Sequence, residues 1–174
     1  MKVPYVHSNF ARVEGDYYPT IDDRCIKGFL QHFQPIGLCV DPCAPGGSGI
    51  VNTLIELGYG AMGLPDAFEK SIIAQWIICN PPYKRGLVDE IINRQIERIY
   101  AGEAEGVAML LRSNFDFAKS RRAMFADPTY FGQIKLLFRP WWSEDRTAQP
   151  IHNYVWQIWK SNNTQRYPVV MYAD

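Results

Sequence analysis

The chain contains the stretch Ile77-Ile78-Cys79-Asn80-Pro81-Pro82-Tyr83, in which an apolar run ends abruptly at two prolines. Proline fixes φ and lacks a backbone donor, so neither a helix nor a sheet can continue through two successive prolines. The residue before a proline is pushed toward extended geometry, which places Asn80 at the carboxyl end of a buried strand. Ligands bind at that edge of open α/β sheets, so we predict a ligand site at Asn80.

The turn after this strand offers a defined set of contacts. The Asn80 side-chain oxygen and the Pro81 carbonyl are hydrogen-bond acceptors, and Tyr83 supplies an aromatic face beside them. These groups suit a flat ligand whose exocyclic amino group donates to both acceptors while its ring stacks on Tyr83. The nitrogen is then held with its lone pair aimed at an electrophile, and positioning supplies most of the rate. The simpler interpretation is a proline-rich turn that only ends a strand.

A second strand and turn lie upstream. Residues 36–40 read as a short buried strand, followed by the glycine-rich run Asp41-Pro42-Cys43-Ala44-Pro45-Gly46-Gly47-Ser48-Gly49. Glycines let the backbone approach a ligand closely, and a strand, a glycine-rich turn and a helix in succession are typical of nucleotide sites. Asp41 can accept from an ammonium group of such a ligand.

Together the two motifs resemble those of the amino-group DNA methyltransferases, which use S-adenosylmethionine and make N6-methyladenine, especially small phage- and prophage-type members. The resemblance covers about residues 14–172 and is most specific at Asn80–Tyr83. It implies a Rossmann-like class I methyltransferase fold, α/β, with a mostly parallel sheet and an antiparallel edge pair. It also implies that Asn80, Pro81, Pro82 and Tyr83 are catalytic.

The resemblance further assigns a cofactor site to three segments. Asp16–Thr20 resembles the segment that closes over the methionine end of the cofactor, and Asp66 suits the residue that contacts the adenine amino group. The expected S-adenosylmethionine contacts are Tyr18, Pro19, Thr20, Asp41, Pro42, Cys43, Ala44, Gly46, Gly47, Gly49, Asp66 and Asn80.

The chain departs from the family in its middle. Only 22 residues separate Gly49 from Ile72, which leaves room for one helix and a short strand near 59–64. A helix–strand unit of the family is therefore missing between the first and fourth strands. The acid that holds the cofactor ribose follows the second strand in the family, and Glu56 is one candidate, although it falls inside the predicted helix 50–57.

The glycine-rich run also departs from the pattern, since it is about two residues longer than in the relatives. Its Cys-Ala-Pro-Gly-Gly part resembles loops of some RNA methyltransferases. Enzymes that methylate a pyrimidine carbon need a nucleophilic cysteine after the fourth strand, where this chain has Asn80, so cytosine C5 chemistry is disfavoured.

Periodicity predicts alternating strands and helices. Apart from the strand that ends at Cys79, we expect helices at 21–33, 50–57, 85–100 and 116–126, and strands at 36–40, 106–111, 133–138 and 151–159. Such alternation favours a parallel sheet covered by helices.

Composition predicts one domain over residues 1–174 without a separate target-recognition domain. The chain has 174 residues, of which 47% are hydrophobic, enough for one sizeable core. No apolar run approaches the roughly 20 residues of a membrane span, and no targeting segment is evident, so we expect a cytoplasmic protein. The four cysteines form no CxxC pair, and Cys39 and Cys79 read as core residues; no metal site is predicted.

Nucleic acid would have to bind through local charge, because 18 basic residues balance 18 acidic ones. The motif is followed by Lys84 and Arg85, and a later loop carries Arg139, Trp141, Trp142 and Arg146, which could stack on bases and hold phosphates. The two tryptophans equally suit covering a sheet edge or a dimer contact. Lys119, Arg121 and Arg122 read as a solvated helix face.

The sequence therefore predicts an S-adenosylmethionine-dependent DNA adenine-N6 methyltransferase. A homodimer or a partner subunit would supply target recognition. Two alternatives remain open: a protein glutamine amide N-methyltransferase, and a degenerate non-catalytic module that binds DNA or protein.

Overall fold

The computed structural model of the protein describes residues 19–44, 47–70, 72–144 and 150–174. Seven strands form one sheet in the order β2-β1-β3-β4-β6-β5-β7. The strands are β1 (Cys39–Asp41), β2 (Ala61–Gly63), β3 (Ala74–Cys79), β4 (Ala104–Arg112), β5 (Tyr130–Leu136), β6 (Tyr154–Lys160) and β7 (Val169–Ala173). Only β6 runs against its neighbours; all other pairings are parallel. The predicted fold class, a Rossmann-like and mostly parallel α/β sheet, is confirmed.

The helices lie on both faces of this sheet. They are α1 (Arg24–Leu30), α2 (Gly49–Glu56), α3 (Leu87–Tyr100) and the single turn α4 (Arg122–Phe125). Successive residues of a strand point to opposite faces, so Ile77 packs in the cluster under α3, whereas Ile78 packs in the cluster that contains α1 and α2 residues. The predicted core tryptophans Trp76, Trp156 and Trp159 are all buried.

The structure confirms that the chain is shortened between its first strand and the strand that ends at Cys79. Between β1 and β3 the described residues form α2 and the three-residue strand β2, and residues 64–70 and 72–73 then return to the sheet. Polar side chains of α3 hold this return segment. The Gln95 side chain donates to the Ala67 carbonyl, and the fully buried Arg98 donates to the carbonyls of Glu69 and Ile72. Side-chain hydrogen bonds thus hold the segment that links β2 to β3.

The helix expected at 116–126 differs from the structure. It is broken into two 3₁₀ turns, Phe115–Phe117 and Lys119–Arg121, followed by α4. The prediction of a solvated helix face was wrong for Arg121, whose guanidinium lies 2.6 Å from Asp89 and 3.6 Å from the centre of the Phe115 ring. The ion pair between Arg121 and Asp89 therefore holds this region in place of a continuous helix.

Strand β7 was not predicted. It pairs parallel with β5 and forms one edge of the sheet, so the reversed strand β6 lies inside the sheet, between β4 and β5. Within the described ranges, no helix combines the length and apolar character needed to cross a membrane.

Candidate functional site

The two sequence motifs meet at one edge of the sheet. Strands β1 and β3 are parallel neighbours, so Asp41 and Asn80 both lie at carboxyl ends on the same edge. From β1 the chain passes outward to β2, and β3 then returns on the other side of β1. This reversal of direction is a topological switch point, where the crevice of an open α/β sheet accepts ligands.

Asn80 is buried at the end of β3, with 4% of its surface exposed. The Tyr83 hydroxyl lies 2.6 Å from the Leu110 carbonyl oxygen, to which it donates, and 3.1 Å from Asn80 Oδ1. Pro81 is buried and Pro82 is partly exposed. The two prolines therefore close a tight turn that holds the asparagine amide beside the tyrosine hydroxyl.

The Tyr83 ring is partly buried rather than fully open to a ligand. It packs edge-on against Tyr154 at 6.3 Å, and the Arg112 guanidinium lies 5.8 Å from its centre. Burial raises the pKa of the Tyr83 hydroxyl well above its ordinary value, so this group stays protonated as a donor. The ring, the amide and Arg112 thus form one polar and aromatic corner at the end of β3 and β4.

The structure gives Asp41 partners within its own loop, and its contact with the cofactor stays a prediction. Its carboxylate is buried and already accepts within the loop: Oδ1 from the Cys43 backbone N–H at 3.0 Å, and Oδ2 from the Ser48 hydroxyl at 2.7 Å. Ser48 in turn accepts from the Val51 N–H and caps α2. Asp41 therefore shapes the loop and the start of α2, and a ligand ammonium group is not needed to explain it.

The buried Asp41 carboxyl gives a pH-dependent prediction. Burial raises its pKa from 3.8 to about 6, although hydrogen bonds from Ser48, Cys43 and Cys79 oppose this. The folded protein therefore binds this proton more tightly than the unfolded chain, and stability falls as the pH rises from about 4 to above 6. We expect Asp41→Asn to gain up to about 3 kcal/mol relative to the wild type across this range.

Urea unfolding of both proteins at a series of pH values measures this difference. The pKa of His152 is lowered by burial and by Arg112 and Arg139, but this histidine is common to both proteins, so its effect cancels in the comparison. Parallel stability curves for Asp41→Asn and the wild type would contradict the prediction.

The segment before α1 crosses the start of α2. Pro19 is exposed, and Thr20 is buried with its carbonyl oxygen against Gly49. The Thr20 hydroxyl is buried and makes no hydrogen bond to any residue in the described part of the chain. Tyr18, the third residue predicted here, lies outside the described residues. A buried hydroxyl without a partner marks this position as one that a polar ligand could satisfy.

Gly49 is required by this crossing, which gives a second prediction. A β-carbon at residue 49 would lie 1.7 Å from the Thr20 carbonyl oxygen, so Gly49→Ala must displace the Pro19–Thr20 segment. We expect binding of S-adenosylhomocysteine to weaken by about tenfold or more, since overpacking costs about 1–3 kcal/mol. Calorimetric titration measures this affinity. Gly60→Ala is the matched control, because a β-carbon there has no neighbour closer than 4.0 Å; equal affinities of the two variants would refute the prediction.

The rest of the glycine loop lies against the end of β2. Pro42, Cys43 and Ala44 are buried, and backbone hydrogen bonds join Leu64 to Asp41 and to Ala44. Gly47 has φ +108°, and a β-carbon there would meet nothing within 4 Å. Among the described residues, the loop is therefore open at Gly47; Gly46 lies outside them.

The two acids proposed to contact the cofactor, Glu56 and Asp66, lie in different parts of the fold. Glu56 is the last residue of α2, which runs back from the carboxyl edge, so it lies toward the opposite edge of the sheet. Asp66 is exposed three residues after β2, and its Oδ1 accepts from the Phe68 N–H at 2.8 Å. Asp66 is thus the first acid after the second strand and the one on the side of the glycine loop.

The predicted nucleic-acid residues lie around the same edge. Lys84, Arg85 and Arg139 are exposed, whereas Trp141 and Trp142 are partly buried. The Trp141 N–H donates to Asp22, and the Trp142 ring packs on Tyr154 at 4.9 Å. The Trp142 ring therefore covers part of the sheet, as in the simpler interpretation, whereas Trp141 is held through its backbone. Arg146 lies outside the described residues.

Sequence reasoning missed Arg112. It ends β4, is exposed, and lies over Tyr83; with Arg139 it also acts on His152. The signal was present, because a cation directly after the apolar run of β4 must lie at the same sheet edge as Asn80.

No model of a protein family matches the chain, and no curated protein matches it in sequence. Among solved structures, one similar fold is a candidate RNA methyltransferase from Pyrococcus horikoshii, with a TM-score of 0.49 and 10% identity over 79% of this chain and 81% of that one. A candidate class I S-adenosylmethionine-dependent methyltransferase from Listeria monocytogenes has a TM-score of 0.47 and 13% identity, over 86% of this chain and 62% of that one.

A Thermoplasma acidophilum protein has a TM-score of 0.44 and 15% identity, over 80% of this chain and 84% of that one. At these scores the similarity concerns the arrangement of strands and helices alone.

Proposed function

We propose that this protein transfers the methyl group of S-adenosylmethionine to the exocyclic amino group of adenine in DNA. The observation that carries the proposal is the position of Asn80-Pro81-Pro82-Tyr83. The motif ends β3 beside the glycine-rich loop after β1, at the switch point of the sheet. The acceptor groups and the candidate cofactor loop thus face one crevice.

The residues around the crevice fit such a cofactor. The open position at Gly47 admits a ligand to the loop backbone, and the Thr20 hydroxyl offers a buried polar partner. Asp66, which follows β2, is expected to contact the adenine amino group of the cofactor. We propose that its carboxylate also accepts hydrogen bonds from the ribose hydroxyls. S-adenosylmethionine supplies an electrophilic methyl group; the chain's residues bind it and orient the acceptor.

The acceptor base would be held by the motif. Asn80 Oδ1 and the Pro81 carbonyl accept hydrogen bonds from the two N–H groups of the amino group. This directs the nitrogen lone pair away from the turn. The partly exposed Tyr83 ring borders the base, and its hydroxyl stays tied to Leu110 on β4. Because these groups are fixed before the base arrives, they act chiefly by positioning.

DNA would approach over the exposed cations at this edge. Lys84 and Arg85 follow the motif, while Arg139 and the partly exposed Trp141 and Trp142 lie on the β5 side. A homodimer or a partner subunit would supply target recognition in the cytoplasm.

The test has two stages. Calorimetric titration with S-adenosylmethionine and S-adenosylhomocysteine comes first, followed by transfer of labelled methyl groups to DNA and, separately, to glutamine-containing protein. Binding and adenine labelling would support the proposal. Binding with labelling of protein alone would favour the glutamine alternative, and a folded sample without cofactor binding would favour a non-catalytic module.

A further inference from the structure

A groove of about 630 Å³ lies beside the candidate site, between the turn that follows β4 and the end of β5. Tyr154, which packs against Tyr83, also lines this groove, so the groove lies next to the motif corner. Its volume is within the range of about 300–1,000 Å³ that is typical of ligand sites. Its other lining residues include Ser113, Asp116, Phe117, Lys135, Leu137 and Arg139.

An aromatic ring stands open at the groove. Phe117 exposes 82% of its surface, although large aromatic side chains usually bury most of theirs. The turn that carries it is held from below: Arg121 donates to the Phe115 carbonyl, forms an ion pair with Asp89, and stacks on the Phe115 ring. The exposed ring is therefore presented by an anchored turn, in the manner of a stacking platform.

The same groove is bordered by cations. Lys135 and Arg139 are exposed in its lining, and Arg112 lies above Tyr83 at its continuation. None of the three forms an ion pair within the part of the chain that is described. Arg139 is oriented by neutral acceptors, the Asn153 side chain and the Pro150 carbonyl, which leave its charge uncompensated.

One acid, Asp116, also lines the groove, and its Oδ1 atom is buried. With Lys135 and Arg139 against this one acid, the lining of the groove has a net positive charge, although the whole chain has a net charge of zero. A positive groove on a neutral protein favours an anionic ligand at this place rather than general attraction of nucleic acid.

We propose that this groove binds single-stranded nucleic acid, with a base stacked on Phe117 and backbone phosphates held by Lys135 and Arg139. An open aromatic ring needs an unstacked base, which a duplex does not present. Arg112 and Tyr83 then lead the strand toward Asn80. The inference rests on the proposed function in taking nucleic acid as the acceptor, and it adds the strandedness of the substrate and the residues that hold it.

Fluorescence anisotropy tests the groove without cofactor. The probe is a labelled single-stranded DNA of about 12 nucleotides, a length within the site sizes of single-strand binders, compared with the duplex of the same sequence. We expect Phe117→Ala to weaken single-strand binding by about 5- to 150-fold, since base stacking is worth about 1–3 kcal/mol. Arg139→Gln and Lys135→Gln should each lower the salt slope of log K by about 0.7.

Matched controls are available elsewhere on the surface. Tyr167 exposes 71% of its surface, and Lys70 is exposed, and neither lines the groove. Tyr167→Ala and Lys70→Gln should therefore bind the single strand like the wild type. All substituted side chains are exposed, so the variants are expected to fold.

The inference is overturned by any of three results: no binding of the single strand, equal binding of the duplex, or an unchanged affinity of Phe117→Ala. RNA of the same sequence bound through the same residues would support it, because base faces and phosphates are common to both. Cofactor titration reports on the proposed function separately, so a failure of the groove is distinguishable from a failure of the methyltransferase assignment.

Discussion

Asn80→Ala is expected to lower the rate of methyl transfer strongly while it keeps the fold and changes the cofactor affinity far less. Asn80 Oδ1 is the side-chain acceptor that lies at the end of β3, buried between the turn and Tyr83. Without it the amino group of the base loses one of its two acceptors, and its lone pair is no longer directed. We expect the rate of transfer to fall by at least about 100-fold, as for the loss of one positioned hydrogen-bonding group in other enzymes.

Transfer of labelled methyl groups under single-turnover conditions measures this effect, and calorimetry with S-adenosylhomocysteine checks the cofactor site. The Tyr83 hydroxyl keeps its bond to Leu110 in the variant, so the turn should persist. Asn162→Ala, at an exposed asparagine after β6, should behave like the wild type. Methylation by Asn80→Ala at the wild-type rate would refute the proposed chemistry.

Arg98→Ala is expected to cause the largest loss of stability. The guanidinium is fully buried and donates to Gln95, to Glu103 and to the backbone carbonyls of Glu69 and Ile72. Its removal leaves buried acceptors without donors and a carboxylate without its partner. We expect the free energy of unfolding to fall by about 2–5 kcal/mol.

Urea unfolding measures the loss, and Arg94→Ala on the same helix is the control. Arg94 pairs with the exposed Glu97 at 3.4 Å, so its removal should cost less than about 1 kcal/mol. Cofactor affinity should fall in the Arg98 variant as well, because the return segment it holds includes Asp66. Equal stability of the two variants would show that the return segment does not depend on this side chain.

The position of the two motifs in the fold could be predicted because their signals are local. Two prolines after an apolar run must end a strand, and a glycine-rich run after a second strand must lie at the same edge if the two strands are parallel. The amphipathic pattern of α3 likewise lies within one window of sequence. The missing helix–strand unit followed from a simple count of residues between Gly49 and Ile72.

The remaining features depend on distant partners. Arg121 is held by Asp89, and Arg98 is held by the segment before β3. No local sequence pattern reveals that these side chains are anchored rather than solvated. The inward orientation of Asp41 depends on the Ser48 hydroxyl across the loop. Strand β7 has a short apolar pattern, but its partner β5 lies more than thirty residues earlier. These features depend on tertiary contacts, which local propensity does not determine.

The reversed strand β6 has a consequence for how the chain is made. It pairs with both β4 and β5, and β5 then pairs with β7, so the carboxyl-terminal half of the sheet cannot form in the order of synthesis. Until Lys160 has left the ribosome, the buried residues Val107–Leu111 of β4 have one open edge. A nascent chain paused before Tyr154 would therefore carry an unpaired apolar strand, which makes this the interval in which association with other chains competes with folding.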